Sequence, residues 1–283
     1  MGRLREPGGT AASLRSALFF AGLALVTPVF ALLVILFRPL PYPVRESTAR
    51  LWCRAVLGWL RVTCGVRQRT LGREHLPGEP SVILSNHQSA WETIAFRTIF
   101  PARLSWIIKR SLFRIPFYGW ALKALEEIGI DRDAGREALR QIADRGGRHL
   151  AAGRWVVVFP EGTRIAPPEP GRFGQGGARL ACTAGVPAVP VAVDSGYCWP
   201  RDDWRKYPGT ITVEIGPAID TSGRSAAEVN RMARAWIDSR RPGIAWPRGE
   251  GDNGSAPGRA GEDPRAAQSP RWRETDMPAE RDR

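Results

Sequence analysis

The sequence predicts an α/β fold in which a mixed, mostly parallel sheet is covered by helices and preceded by an N-terminal hydrophobic, membrane-anchoring helical segment. From residue 66 onward, short β-prone apolar runs alternate with stretches of helical periodicity, which is typical of strands joined through covering helices. Before that point, residues 17–37 contain no charge, and 21 such residues are enough to cross a bilayer core. The 283 residues, 43% of them hydrophobic, suit one large domain with appendages.

The N-terminal part is interpreted as a flexible stretch, residues 1–12, followed by a membrane-associated helical hairpin, residues 13–65. Arginines flank the apolar run on both sides, so charge gives no orientation and fits a hairpin that enters one leaflet. Pro28 predicts a kink in the first helix. The second helix, near 46–66, carries an apolar stripe with tryptophans among arginines, as an amphipathic interfacial helix does. A signal peptide, or helices packed on a soluble core, are the alternatives.

Seven strands and five helices are expected in an α/β domain that spans residues 66–241. The strands are expected near 66–71, 81–86, 103–108, 128–132, 154–159, 187–193 and 210–215. The helices are expected near 89–99, 116–125, 134–151, 175–184 and 225–240. Residues 242–283 are rich in Pro, Gly, Ser and mixed charges without a hydrophobic pattern, and therefore predict a disordered tail.

The chain is strongly basic, with 41 Lys and Arg residues against 28 Asp and Glu residues and a net charge of +13. Such a surplus favours an anionic partner, such as a membrane surface or a phosphorylated substrate. Nucleic acid is not expected, because the sequence has no zinc-finger spacing, basic zipper or aromatic RNA-binding signature. The four cysteines lack paired metal-ligand spacing, so neither a metal nor a cofactor is predicted.

The first candidate site begins where an apolar strand, residues 81–85, ends in Asn86-His87 and a helical stretch begins. Reactive groups of α/β proteins commonly lie at such strand ends. Glu92 stands in the first helical turn, from which its carboxylate can reach back to one imidazole nitrogen of His87. That contact fixes the tautomer and leaves the other nitrogen as a general base. The alternative is a solvated histidine in a polar turn and a glutamate that serves the helix dipole.

A second strand-like run ends in the sequence Phe-Pro-Glu-Gly-Thr-Arg at residues 159–164. A His-x4-acid motif followed about seventy residues later by this turn resembles the glycerolipid acyltransferase family, in particular the bacterial branch of the 1-acylglycerol-3-phosphate acyltransferases. Weaker matches at residues 109–120, 130–132 and 186–191 support the resemblance, which covers residues 66–220.

The resemblance implies that His87 is the general base for the acceptor hydroxyl, and that Glu92 orients His87 and stabilises its imidazolium. Direct transfer of the acyl group to the acceptor is expected, because no activated protein nucleophile is visible in the sequence. Glu92 departs from the aspartate that more often ends this motif in the family, although both residues carry the same charge.

The resemblance also implies that the turn binds the acceptor. Arg164 pairs with the glycerol phosphate in this interpretation, Glu161 bonds the glycerol or stabilises the turn, and Gly162 lets the backbone approach the ligand. Thr163 belongs to the same substrate-binding turn. Arg132 is a second candidate for the phosphate, although it could simply pair with nearby acidic residues.

As a whole, the resemblance implies transfer of a fatty acyl group from acyl-CoA or acyl-carrier protein to the 2-hydroxyl of 1-acylglycerol-3-phosphate (lysophosphatidate), giving phosphatidate. The expected location is the anionic surface of a bacterial inner membrane, with the catalytic domain facing the cytoplasm. Many relatives carry a lysine where this chain has Gly174, so another lysolipid, a lysophospholipid or lyso-ornithine lipid, is the alternative acceptor. A membrane-anchored thioester hydrolase and a non-catalytic membrane-binding protein are the rival classes.

Overall fold

The computed structural model describes residues 9–101, 103–131, 134–167, 169 and 171–240. The first eight residues, Arg132 and the expected tail at 242–283 lie outside the described residues. Within the described part, the helices are α1 Thr10–Leu36, α2 Tyr42–Cys64, α3 Trp91–Ile99, α4 Tyr118–Ala124, α5 Arg136–Ala151, α6 Gly176–Ala184 and α7 Ala226–Arg240. The strands are β1 Val66–Leu71, β2 Val82–Ser85, β3 Leu104–Lys109, β4 Ile128–Ile130, β5 Trp155–Val158, β6 Ala188–Val193 and β7 Gly209–Ile215.

Every strand and helix expected in the α/β part is present, with ends shifted by no more than two residues. One boundary is wrong at the N-terminus. The first helix begins at Thr10, so residues 10–12, expected to be flexible, are helical. The helix then continues through Pro28 to Leu36.

The strands form one sheet in the order β1-β7-β6-β2-β5-β3-β4. Neighbouring strands are parallel except for β6 and β7, which pair antiparallel. The expected mixed, mostly parallel sheet is therefore confirmed. Because β6, β2, β5, β3 and β4 all run in one direction, their carboxyl ends lie along a single edge of the sheet, where such folds place their ligands.

The sheet separates two apolar layers, since successive side chains of a strand point to opposite faces. Ile83 and Val157 belong to the core shared with α2 and α3. Leu84 and Val158, one residue further along the same strands, belong to the core shared with α5, α6 and α7. Helices cover both faces, which explains why these central strands consist of fully buried residues.

The first two helices pack closely along each other. The indole of Trp59 lies against Gly22, where an added Cβ would stand 2.2 Å from its Nε1 atom. That indole N–H donates to the carbonyl of Leu18 at 3.3 Å, and the indole of Trp52 donates to the Thr27 hydroxyl at 3.2 Å. Both tryptophans, expected at a membrane interface, therefore contact α1, and α2 packs on the protein core.

The opposite side of α1 is an exposed apolar stripe. Its members are 49–75% exposed and recur at helical spacing: Leu14, Leu18, Leu25, Val29, Leu32 and Leu36. By length and composition alone, this helix could cross a membrane. Within the described structure, this apolar surface of α1 is not covered by other helices, and such a surface is costly to expose to water.

A buried ion cluster ties α2 to the helix that carries Glu92. Arg97, near the end of α3, is ion-paired with Glu46 of α2 and with Glu127, the latter at 2.7 Å. The other oxygen of Glu127 accepts the backbone N–H of Trp106 in β3 at 2.7 Å. The position of α3 is therefore fixed from two neighbouring elements.

Candidate active site

Asn86 directly follows β2 and fixes the position of the residue after it. Its side-chain amide donates to the carbonyl of Val193 at 2.8 Å, and its side-chain carbonyl accepts the N–H of Val193 at 2.8 Å. This pair of bonds imitates a step of strand pairing and joins the carboxyl ends of β2 and β6. His87 therefore leaves the sheet from a rigid point.

His87 is held on both its backbone and its ring. Its N–H donates to Glu161 at 2.9 Å, and its carbonyl accepts the N–H of Ile165 at 2.7 Å. The imidazole stacks on the ring of Phe159, with centroids 4.0 Å apart and planes 13° from parallel. The side chain is 15% exposed, so the ring is mostly enclosed but remains open to a ligand.

The carboxylate of Glu92 faces the ring of His87, as the motif predicts. Its Oε2 atom lies 3.5 Å from Nδ1 of His87, at the outer limit of a hydrogen bond. Such contacts are often long in enzymes without substrate and shorten in the complex. Because Nδ1 faces the carboxylate, Nε2 is the ring nitrogen left for the substrate.

Glu92 is fully buried and accepts several further hydrogen bonds. The N–H groups of Gln88 and Ser89 donate at 2.9 and 3.1 Å, and the hydroxyl groups of Ser89 and Ser195 donate as well. Burial alone raises the pKa of this carboxyl, but the His87 contact, the Ser195 hydroxyl and the Gln88 N–H together lower the pKa below its ordinary value. Glu92 is therefore a carboxylate, ready to stabilise an imidazolium.

The sequence analysis gave no role to three residues of this network, namely Asn86, Gln88 and Ser195. Ser195 lies in a short 3₁₀ helix that follows β6, 103 residues from Glu92 along the chain. The side-chain carbonyl of Gln88 accepts the N–H of Gly196 at 3.0 Å and joins the same two loops. Only their positions in the sequence could have indicated these residues, because each lies just after a buried strand or next to His87.

The turn at 159–164 lies beside the histidine, at the carboxyl end of β5. Glu161 is 9% exposed and contacts the His87 backbone, so it stabilises the turn in this structure. Gly162 has φ +69°, and a Cβ there would meet nothing within 4 Å. Its backbone conformation, rather than crowding by the protein, therefore favours glycine. Thr163 and Arg164 are exposed, and the Arg164 carbonyl accepts a bond from Arg201 at 2.6 Å.

The structure thus brings together His87, Glu92 and the 159–164 turn, while Arg132 lies outside the described residues. Within the part of the chain that the structure describes, no cluster of His, Cys, Asp and Glu could hold a metal ion. The fold and this arrangement define an α/β protein that holds a histidine–carboxylate pair at the carboxyl edge of its sheet, beside a turn that carries an exposed arginine.

Comparison with known proteins supports this class. A family model described as Acyltransferase matches residues 67–194. The chain is 43% identical over 233 residues to the 1-acyl-sn-glycerol-3-phosphate acyltransferase of Pseudomonas aeruginosa, covering 81% of this chain and 90% of that protein. It is 30% identical to the alpha form from Bos taurus, over 74% of this chain and 75% of that protein.

The fold is also that of a solved structure. The crystal structure of the 1-acyl-sn-glycerophosphate (LPA) acyltransferase from Thermotoga maritima superposes with a TM-score of 0.68 at 21% identity, covering 83% of this chain and 97% of that one. The chain belongs to the 1-acyl-sn-glycerol-3-phosphate acyltransferase family.

Proposed function

We propose that the protein transfers a fatty acyl group from acyl-CoA or acyl-carrier protein to the 2-hydroxyl of lysophosphatidate, giving phosphatidate. The observation that carries the proposal is the His87 ring, held between Phe159 and the buried Glu92 at the open edge of the sheet. The relative from Pseudomonas aeruginosa, which this chain matches over most of its length, bears the name of that activity.

The geometry supports direct transfer. Nε2 of His87 takes the proton of the acceptor hydroxyl as its oxygen attacks the thioester carbonyl. The new carbon–oxygen bond forms, the carbon–sulfur bond breaks, and the imidazolium returns the proton to the departing thiolate. Glu92 stabilises the imidazolium during this step and keeps Nδ1 protonated and facing it.

The acceptor phosphate is assigned to the exposed end of the turn. Arg164 is exposed in the structure, and its planar guanidinium matches the geometry of a phosphate. Glu161 places this end of the turn beside His87 through its bond to the backbone. Thr163 and the sequence candidate Arg132 complete the proposed set of phosphate ligands.

The membrane assignment rests on α1 and α2. The exposed apolar stripe of α1 suits insertion into one leaflet, because the other side of the helix is packed on α2. Arg15, Arg54 and Arg61 are exposed on the same two helices and suit anionic headgroups. The proposed site of action is the inner membrane of a bacterium, with the catalytic domain facing the cytoplasm.

The reaction is tested by supplying labelled acyl-CoA or acyl-carrier protein and a panel of lysolipids to the detergent-purified protein. Phosphatidate is the expected product, and His87→Ala should lower kcat by about 100-fold or more, because a general base contributes on that scale. His75→Ala is the matched control, since His75 lies in a short 3₁₀ helix after β1 and bonds the Ile215 carbonyl.

Each other outcome contradicts a defined part of the proposal. Transfer only to a different lysolipid would replace the acceptor and retain the base. Release of free fatty acid without a diacyl product would indicate a hydrolase. Full activity in His87→Ala would remove the histidine from the mechanism.

A further inference from the structure

Residues 198–207 form a closed loop between the short 3₁₀ helix that begins at Ser195 and strand β7. The N–H of Tyr207 donates to the carbonyl of Cys198 at 2.8 Å, so the two ends of the loop are joined. Compact surface loops with adjacent ends, filled by their own side chains, are frequently functional. No step of the proposed reaction uses this loop.

The inside of the loop is filled by Lys206, which is only 2% exposed. Its ammonium donates to three backbone carbonyls, those of Trp204 at 2.6 Å, Arg205 at 3.4 Å and Asp203 at 3.5 Å. Within the described residues it pairs with no carboxylate, and that of Asp203 pairs with Arg205 instead. Burial lowers the pKa of Lys206 to about 8, so the ammonium keeps most of its charge at neutral pH. A buried charge without a counter-ion is costly, and an apolar side chain would fill the same space at a lower cost.

The loop is packed on α1. The backbone N–H of Lys206 donates to the hydroxyl of Ser16 at 2.8 Å, and its ammonium lies 5.0 and 4.9 Å from the ring centroids of Phe20 and Trp199. Trp199 also meets Phe19 edge to face, with centroids 5.3 Å apart. The base of the loop is therefore fixed on the packed side of α1, opposite the exposed apolar stripe.

A further residue of the loop contacts the 159–164 turn. The guanidinium of Arg201 donates to the carbonyl of Arg164 at 2.6 Å. That carbonyl belongs to the same peptide group as the N–H of Ile165, which donates to the carbonyl of His87 at 2.7 Å. One peptide group is thus held on one side by the loop and on the other side by the backbone of the histidine. Such consecutive bonds polarise and strengthen each other.

An exposed hydrogen bond restrains its partner only where the donor is itself held in place, because a free arginine side chain loses rotamer freedom on bonding. The Nε atom of Arg201 lies 3.2 Å from the carboxylate of Asp202, which orients the guanidinium. Lys206 fixes the backbone of the same loop through the three carbonyls. The arrangement therefore has the rigidity that positioning of the Arg164 backbone requires.

We propose that Arg201 is a positioning residue for the lysolipid acceptor, acting through the backbone of Arg164, and that the buried Lys206 holds the loop in the shape that this bond needs. The inference rests on the proposed function, because it takes Arg164 as the phosphate ligand. It extends that function by making acceptor affinity depend on a loop packed against α1.

The kinetic test compares variants of the full-length protein in detergent. Arg201→Ala and Lys206→Met should each raise the KM for lysophosphatidate by about fivefold or more, because the charge-assisted bond or its support is lost. The kcat and the KM for the acyl donor should change by less than about twofold. Arg201→Lys keeps a cationic donor and should retain most of the acceptor affinity. Arg231→Gln, an exposed change on α7, is the matched control and should behave as the wild type does.

A double-mutant cycle separates positioning from a general loss of structure. Because Arg201 acts through Arg164, Arg201→Ala should change kcat/KM by less than about twofold when Arg164 is already alanine. Independent structural damage would instead multiply with the effect of Arg164→Ala. Circular dichroism checks the fold of each variant. The exposed Arg201 carries the test even if Lys206→Met does not fold.

Hydrogen exchange provides a measurement without turnover. The amide of Ile165 should exchange about threefold faster or more in Arg201→Ala and in Lys206→Met than in the wild type, because its peptide group loses one of its two restraints. The Arg231→Gln control should exchange at the wild-type rate.

Three outcomes would overturn the inference: an unchanged KM for lysophosphatidate in Arg201→Ala, full multiplication of the Arg201 and Arg164 effects, and wild-type exchange at Ile165 in both variants. A fall in kcat alone belongs to the first of these. The proposed function fails separately. If the wild type acylates no lysolipid, that proposal is wrong, and the exchange rates still decide whether Arg201 and Lys206 fix the Arg164 peptide group.

Discussion

Glu92 makes two kinds of contact, which its sequence position explains only in part. From the first turn of α3 its carboxylate reaches back to the N–H groups of Gln88 and Ser89, as a glutamate in a capping box does, while its Oε2 atom faces His87. The longer side chain, in place of the family's more common aspartate, is accommodated by this backward reach. The pairing with His87 could be predicted because it is local in sequence. The bond from Ser195 could not, because it spans 103 residues.

Ser195 is expected to position the catalytic pair through Glu92. Ser195→Ala should lower kcat by about tenfold or more, because it removes one donor from a buried carboxylate. Ser195→Thr, which keeps the hydroxyl, should restore most of the activity. Full activity in Ser195→Ala would show that the remaining donors suffice.

The same variant gives an independent pH readout. The pKa of Glu92 is lowered in the folded protein, so its ionised form stabilises the fold above about pH 4.5, and that contribution is lost as the pH falls through the lowered pKa. Ser195→Ala removes one cause of the lowering and should move the midpoint of acid unfolding to higher pH.

At the scale of elements, the alternating pattern was sufficient to place the seven strands and the helices that cover them. It did not show which helices touch. The two N-terminal helices pack through Gly22 and Trp59. This contact depends on glycine having no side chain, so the hydrophobic pattern of the sequence does not reveal it. The sequence pattern predicted Trp59 at a membrane interface, because an apolar stripe has the same pattern whether lipid or protein covers it.

Two glycines of these helices provide a matched comparison. Gly22→Ala should lower the free energy of unfolding by ~1–3 kcal/mol, because the new methyl group displaces the Trp59 indole. Gly58→Ala has no atom within 4 Å of the added carbon and should raise it by up to ~1 kcal/mol through helix propensity. Thermal or chemical unfolding in detergent measures both. Equal effects at the two positions would contradict the packing contact.

At the scale of the whole molecule, the apolar stripe of α1 and the basic charge of the chain both suit an anionic membrane surface. On the proposed membrane assignment, the net charge of +13 is expected to attract the protein to an anionic surface, and the stripe is expected to supply the apolar area that holds it there. Composition was enough to predict attraction to an anion. It could not show that one side of α1 is already used by α2, which only the packed structure reveals.

Membrane binding should therefore depend on the exposed side of α1. Leu25→Glu combined with Leu32→Glu should lower partitioning into anionic vesicles by about tenfold or more, because two exposed apolar side chains that are expected to enter the bilayer become charged. Sedimentation with vesicles measures the effect, and circular dichroism checks that the fold is retained. Met232→Glu, an exposed apolar position on α7, is the control. Equal sedimentation of both variants would place the membrane contact elsewhere.

The two hydrogen bonds between the Asn86 side chain and the Val193 backbone have a consequence for how this enzyme can be recombined with its relatives. His87 and Ser195, which donates to the Glu92 carboxylate, belong to two loops joined by the Asn86 side-chain amide. The two loops therefore depend on each other for their positions, although about a hundred residues separate them. A crossover that separates residue 86 from residue 193 pairs loops selected in different parents. Chimeras with both breakpoints outside the 82–196 interval keep the two loops together, and libraries built that way should retain more active members.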